Sequence, residues 1–238
     1  MPLPEPDAST PRRATRTALV AAVAVPLLFT LVVGLTHPVS LGASTAEWWR
    51  DLHIILLPVF PLIGAGPWLV SRRSGQPWRW IAGIGGFLFA VYYTGLDVLA
   101  GIAAGSVQLA GHPEAKSSLY ALANIFGPIG ALGLAVAWAA ATIGVMRATV
   151  VRAVPGALAV VGALLVLKSH VYFPVGTLGL ALMLAGGVVL AVLSVAPRRS
   201  AARGRSSARP RSSTSRPRDI ASSPACRPAV EKCHMVLP

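Results

Sequence analysis

Asp97 is the residue that asks for chemistry: it interrupts "FAVYYTGLDVLAGIAAG", residues 89–105, a stretch otherwise suited to lipid. A carboxylate at the middle of a spanning helix costs about 2.5–3.5 kcal/mol on insertion scales, so it needs a partner, a water or a proton. Three uses are open to it. It could carry a proton or bind a cation. It could tie helices together through Asn124, Tyr93 or a backbone group, a bond worth about 0.6 kcal/mol on average. It could also join His53 and His170 around a zinc ion whose bound water acts as nucleophile, since imidazole and carboxylate are ordinary zinc ligands. A haem between His53 and His170 is a further variant. The ligand- or proton-binding candidates are therefore Asp97, Asn124, Tyr93, His53 and His170, with His53, Asp97 and His170 as a minority metal set. No cofactor is the leading expectation, with zinc or haem behind it.

The elements that position these residues follow from composition. Over 238 residues the chain is 54% hydrophobic and 12% charged, about half the charged fraction of a soluble domain. That predicts an all-α polytopic membrane helix bundle. Six segments reach the roughly 20 apolar residues a span requires: 17–36, 52–71, 80–104, 119–146, 153–172 and 175–196. The fifth has a short uninterrupted apolar core, "AVPGALAVVGALLVL", because Lys168, Ser169 and His170 close it; Lys168 would snorkel to the interface. Pro58, Pro61 and Pro67 in the second span and Pro128 in the fourth predict kinks.

Basic residues give the orientation. Eighteen of the 21 Lys and Arg precede the first span, lie between spans two and three or four and five, or follow the sixth. Arg50, Lys116 and Lys168 alone occupy the remaining connections. The positive-inside rule then places both termini in the cytoplasm. In that frame Asp97 lies in the outer half of its span, roughly 10 Å below the exit at 1.5 Å per residue. Tyr120 and Asn124 start the fourth span, His53 the second, and His37 follows the first, so polar groups gather on the extracytoplasmic side. Trp48, Trp49, Trp78 and Trp80 suit interfacial belts.

Helical spacing sets Gly86, Ala90, Tyr93, Thr94, Asp97, Gly101, Ala104 and Gly105 on one small and polar face, with Ile84, Leu88, Val91, Leu99 and Ile102 opposite. Tyr120, Asn124, Gly127, Ala131, Ala135 and Thr142 repeat the pattern in the fourth span. Small faces favour close helix contact, so these stripes are expected to pack and to bring Asn124 near Asp97.

Outside the bundle, residues 1–16 form a short cytoplasmic lead. Its Arg pair before an apolar run also suits a signal peptide, but the run is long and no clear cleavage site follows. From Pro197 the chain is rich in Arg, Ser and Pro and should be a disordered cytoplasmic tail that could attract anionic lipid head groups. The charge of +13 does not predict nucleic-acid binding, because ten of the basic residues lie in this tail. Cys226 and Cys233 also lie there and fall short of a zinc pattern.

These features favour a multi-pass plasma-membrane protein of a high-GC bacterium, acting without catalysis in binding, assembly or support of a membrane partner or a second copy of itself. A small ion- or proton-coupled carrier using Asp97 comes second. A metal or haem enzyme or redox subunit comes third.

Overall fold

A computed structural model describes residues 10–146 and 153–196. Arg147, Arg152 and the basic tail with its two cysteines lie outside these residues. The fold is all-α. Helix α1 covers Thr10–Gly34, α2 Ala46–Leu56, α3 Val59–Ser71 and α4 Gln76–Leu96. A π-helical segment, Asp97–Ala103, then leads into α5, Ala104–Leu109, and a 3₁₀ turn at Pro113–Ala115 precedes α6, Lys116–Met146. Helix α7 covers Ala153–Ser169 and α8 Val175–Ser194.

Among the described residues, five helical stretches are long and apolar enough to cross a membrane: Arg13–Gly34, Ala46–Ser71, Gln76–Leu109, Pro113–Met146 and Val175–Ser194. Helix α7 is apolar but has 17 residues. The second stretch is broken at the first of its three prolines, while α3 continues through Pro61 and Pro67. Pro58 has no N–H to donate, and α2 ends at Leu56 before α3 begins at Val59. By contrast α6 runs unbroken through Pro128.

The helices close a ring in the order α1, α3, α4, α6, α7, α8, with α3 and α6 also touching across it. Small residues permit the approach, as membrane helix packing requires. On α4 and α6, a Cβ at Gly85 would lie 2.5 Å from the Gly133 carbonyl oxygen, and one at Gly130 2.9 Å from the Tyr93 nitrogen. The α4–α6 seam therefore runs through Gly85, Gly130 and Gly133, beside the expected stripes; Gly86 of the expected stripe meets Gly64 of α3 instead, and Gly101 and Gly105 meet His53 and Arg50 of α2. Helices α7 and α8 meet in the same way at Gly162 and Gly179. Trp138 of α6 fills the centre, fully buried against Val23 of α1, Gly66 of α3 and Gly187 of α8.

Helix α2 lies against the π-helical segment and α5. Trp49 anchors it there, its indole N–H donating to the Ala100 carbonyl at 2.9 Å. The α1–α2 loop folds over this end of the bundle. Its Thr45 hydroxyl donates to the Ser40 carbonyl at 2.9 Å, and Trp48 donates to the Thr36 carbonyl at 3.1 Å. These bonds hold His37 between α2 and the α7–α8 turn.

Candidate metal centre

Three histidines from distant parts of the sequence converge at this end. One ring nitrogen from each of His37, His53 and His170 lies within 4.8 Å of the others. Each arrives differently. His53 is carried by α2 and is buried; His37 sits in the loop after α1; His170 opens the α7–α8 turn.

The hydrogen bonds decide which nitrogens face inward. Nδ1 of His53 is 2.6 Å from the Trp49 carbonyl oxygen, and Nδ1 of His37 is 2.8 Å from that of Pro38. A carbonyl can only accept, so each Nδ1 carries the proton and donates it. Nε2 of each neutral ring then presents a lone pair. Those two Nε2 atoms lie 3.4 Å apart. Neither can donate to the other, and two facing lone pairs at that distance call for a cation between them.

A metal ion fits the spacing. Zinc–imidazole bonds of about 2.0–2.1 Å in tetrahedral geometry put neighbouring nitrogens about 3.4 Å apart. The third nitrogen needs only a small adjustment to join them. His170 is steered from behind by Tyr93, whose hydroxyl oxygen is 2.5 Å from its Nδ1. A hydroxyl can accept as well as donate, so Nδ1–H can donate a hydrogen bond to the Tyr93 oxygen and leave Nε2 for a ligand. Outer partners of this kind orient metal-binding histidines and raise their basicity. Burial also holds His37 below the ordinary histidine pKa, which keeps it neutral and available as a ligand.

Packing reinforces the arrangement. The rings of Trp49 and Tyr172 each meet His37 edge-on, with centroids 4.8 Å away. His53 rests on Gly101, where a Cβ would collide with its ring. His170 has φ of 52°, a left-handed turn conformation that histidine adopts more readily than most residues other than glycine.

Asp97 belongs to the same stripe. Tyr93, Asp97 and Gly101 follow one another at intervals of four; Tyr93 reaches His170, and Gly101 receives His53. Asp97 lies between these two contacts and has no exposed surface. Neither carboxylate oxygen has a hydrogen-bond partner among the described residues, nor does the Thr94 hydroxyl three residues earlier. Such a group costs several kcal/mol unless a proton, water or cation satisfies it.

The expected pairing of Asp97 with Asn124 is not formed. Close contact between α4 and α6 reaches Leu96 and Gly127, and beyond that point a cavity of about 420 Å³ opens between α4, α6 and α7. Asn124 lines this cavity and is exposed. Leu96, Ala123, Val166 and Leu167 form apolar wall, while Lys168, Ser169, Tyr172, Tyr93 and His170 supply polar groups. The cavity and the histidine cluster therefore share Tyr93 and His170. Of the sequence candidates, Tyr93 bonds His170, His170 and His53 converge with His37, and Asp97 lies on the stripe that carries Tyr93. His37 was not among them, since it follows a span in a loop without periodicity. Comparison of the chain with protein families, with curated proteins and with solved structures finds no match to any of them.

Proposed function

We propose that this chain is a six-span protein of the cell membrane, with both termini in the cytoplasm, that holds one zinc-class divalent ion in a three-histidine centre near its extracytoplasmic edge. The observation that carries this reading is the pair of Nε2 lone pairs 3.4 Å apart, with a third imidazole within reach. It raises metal-dependent chemistry above the non-enzymatic role that the sequence favours. A compact ion suits the cluster better than haem, because the His37 ring stands beside both His53 and His170, centroids 5.1 and 6.2 Å away, in the space a porphyrin between that pair would need. Three protein ligands also leave a fourth position open, as in catalytic zinc sites. Borderline nitrogen donors are met by zinc and its first-row neighbours, so cobalt serves as a spectroscopic substitute.

Calorimetric titration of metal-free protein in mild detergent should show one zinc ion per chain. In His37→Ala and His53→Ala the affinity should fall by about 100-fold or more, the upper end of the losses seen when even a supporting partner is removed. Equal zinc binding by wild type and both variants would exclude the centre. Orientation has a separate check. A tag inserted in the 106–117 connection should react with an impermeant reagent added to intact cells, whereas protection there would reverse the topology. The orphaned carboxylate of Asp97 supports a second reading, a proton-coupled carrier. In that case Asp97→Asn should abolish proton movement whether or not zinc is bound.

A further inference from the structure

Helices α6 and α7 touch at one end and part at the other. Gly156 of α7 lies so close to Thr142 of α6 that a Cβ would overlap its side chain. From there α7 follows α8, through Gly162 and Gly179, and by Asn124 and Lys168 the cavity of about 420 Å³ separates it from α6. Both edges of this cleft face outward. Asn124, Pro128 and Leu132 form an exposed stripe on α6 at intervals of four, and Val161, Leu164 and Lys168 form one on α7 at intervals of three and four. Each stripe is polar at the cavity and apolar beyond it. The floor between them is apolar too, with Leu96, Ala123 and Val166. Lys168 is the one Lys or Arg that lines the cleft. Among the described residues no carboxylate pairs with it, the ion pairs being Arg50 with Asp51 and His112 with Glu114. The volume lies within the range of small-molecule sites, about 300–1,000 Å³.

We propose that the α6–α7 cleft binds one lipid with an anionic head group, a reading that rests on the six-span arrangement and not on the metal centre. Asp97, His37 and His53 do not line the cleft, so its occupant is held independently of them. The head-group phosphate pairs with Lys168 and accepts a hydrogen bond from the Asn124 amide. One acyl chain lies over Ala123 and Val166 and leaves between Pro128 and Leu164 into the bilayer. Charge selects the head, because an ammonium without a counter-ion at the membrane surface attracts anionic lipid. The walls select a lipid over a soluble anion. A small hydrophilic anion on Lys168 would leave the apolar floor uncovered, whereas a chain removes it from water. The stem of Lys168 suits this place, since its methylenes lie along apolar surface while the ammonium reaches the head-group layer.

The test places the full chain in phosphatidylcholine nanodiscs doped with phosphatidylglycerol or phosphatidylcholine that carries a diazirine on one acyl chain. After illumination, label is read by peptide mass on residues 123–132 and 161–169, so lipid drawn to the basic tail does not contribute. Phosphatidylglycerol should label these segments about fivefold more than phosphatidylcholine, the factor one basic side chain near the surface supplies. Lys168→Gln should bring the two to the same level. Lys116→Gln, whose ammonium bonds Gln108 outside the cleft, should label like wild type. Asn124→Trp, which fills the cleft from an exposed position, should remove label from 161–169 with the melting temperature kept. Unlabelled phosphatidylglycerol should compete and glycerol phosphate should not. Equal labelling by the two lipids in wild type, or no change in Lys168→Gln, would overturn the proposal. An equal fall in Lys116→Gln would reduce it to general surface charge, and displacement by glycerol phosphate would make the cleft a soluble-anion site. His37→Ala should label like wild type, so loss of the metal centre leaves the result standing. Topology is read separately, from the tag in the 106–117 connection.

Discussion

Replacing Asp97 by leucine is expected to make the metal-free protein more stable, by about 1–3 kcal/mol. The direction follows from its hydrogen bonding. Asp97 is fully buried, and neither oxygen finds a partner among the described residues. A buried polar group without a partner carries its whole desolvation cost, about 1–3 kcal/mol and more if it is charged. Leucine removes that cost and adds apolar contact. A carboxylate that served only to tie helices would behave in the opposite way, and its removal would weaken the bundle. Thermal unfolding in detergent distinguishes the two outcomes. For a chain of this size the apparent melting temperature should rise by a few degrees. Asp97→Ala provides a control without added volume. A fall in melting temperature for both variants would show that the carboxylate is already satisfied. Residues kept at a cost to stability are typical of sites where function constrains the choice.

Gly101→Val should abolish tight zinc binding although residue 101 is not itself a ligand. Its Cα faces His53 so closely that a Cβ would overlap the ring at Cβ, Cγ and Cδ2. Those atoms belong to a buried imidazole held by the Trp49 carbonyl, with no room to yield. Valine at this position must push His53 out of reach of His37. The loss in affinity should approach that of His53→Ala, about 100-fold or more. Gly95→Val provides a comparison on the same helix. A Cβ there meets the Phe126 side chain, away from the histidines. Calorimetry on both variants, after circular dichroism shows helix content unchanged, checks the expectation. Zinc affinity in Gly101→Val equal to wild type would mean that His53 is dispensable to the centre.

Much of the architecture can be read along the chain, because lipid imposes simple rules. Runs of apolar residues mark the helices and Pro58 marks the break between α2 and α3, but the α4–α6 seam runs through Gly85, Gly130 and Gly133 and not along the stripes that helical spacing picks out. Asp97 was legible for the same reason: one carboxylate stands out against so much hydrocarbon. The site around it was less so. Position 37 has no periodicity to give it a direction, and its place depends on a loop held by Trp48, Thr45 and the Pro38 carbonyl. Asn124 shows the converse error. Its spacing puts it on the same stripe as Gly127 and Ala131, but a stripe says nothing about where two helices cease to touch. Contact reaches Gly127, and one turn further Asn124 faces the cavity instead of Asp97. The π-helical segment beginning at Asp97 is also invisible to a 3.6-residue period. Such insertions recur at functional sites.

The modest length of α7 bears on the lipid around it. Seventeen residues at 1.5 Å each extend about 25 Å, against a hydrocarbon layer of about 30 Å. If α7 crosses the bilayer as proposed, that mismatch is met by local thinning of the membrane and by Lys168 reaching for the surface. Head groups and water are thereby drawn down beside the turn that carries His170. A short helix would thus bring the edge of the membrane to the buried histidines, instead of requiring the lipid to climb out to them.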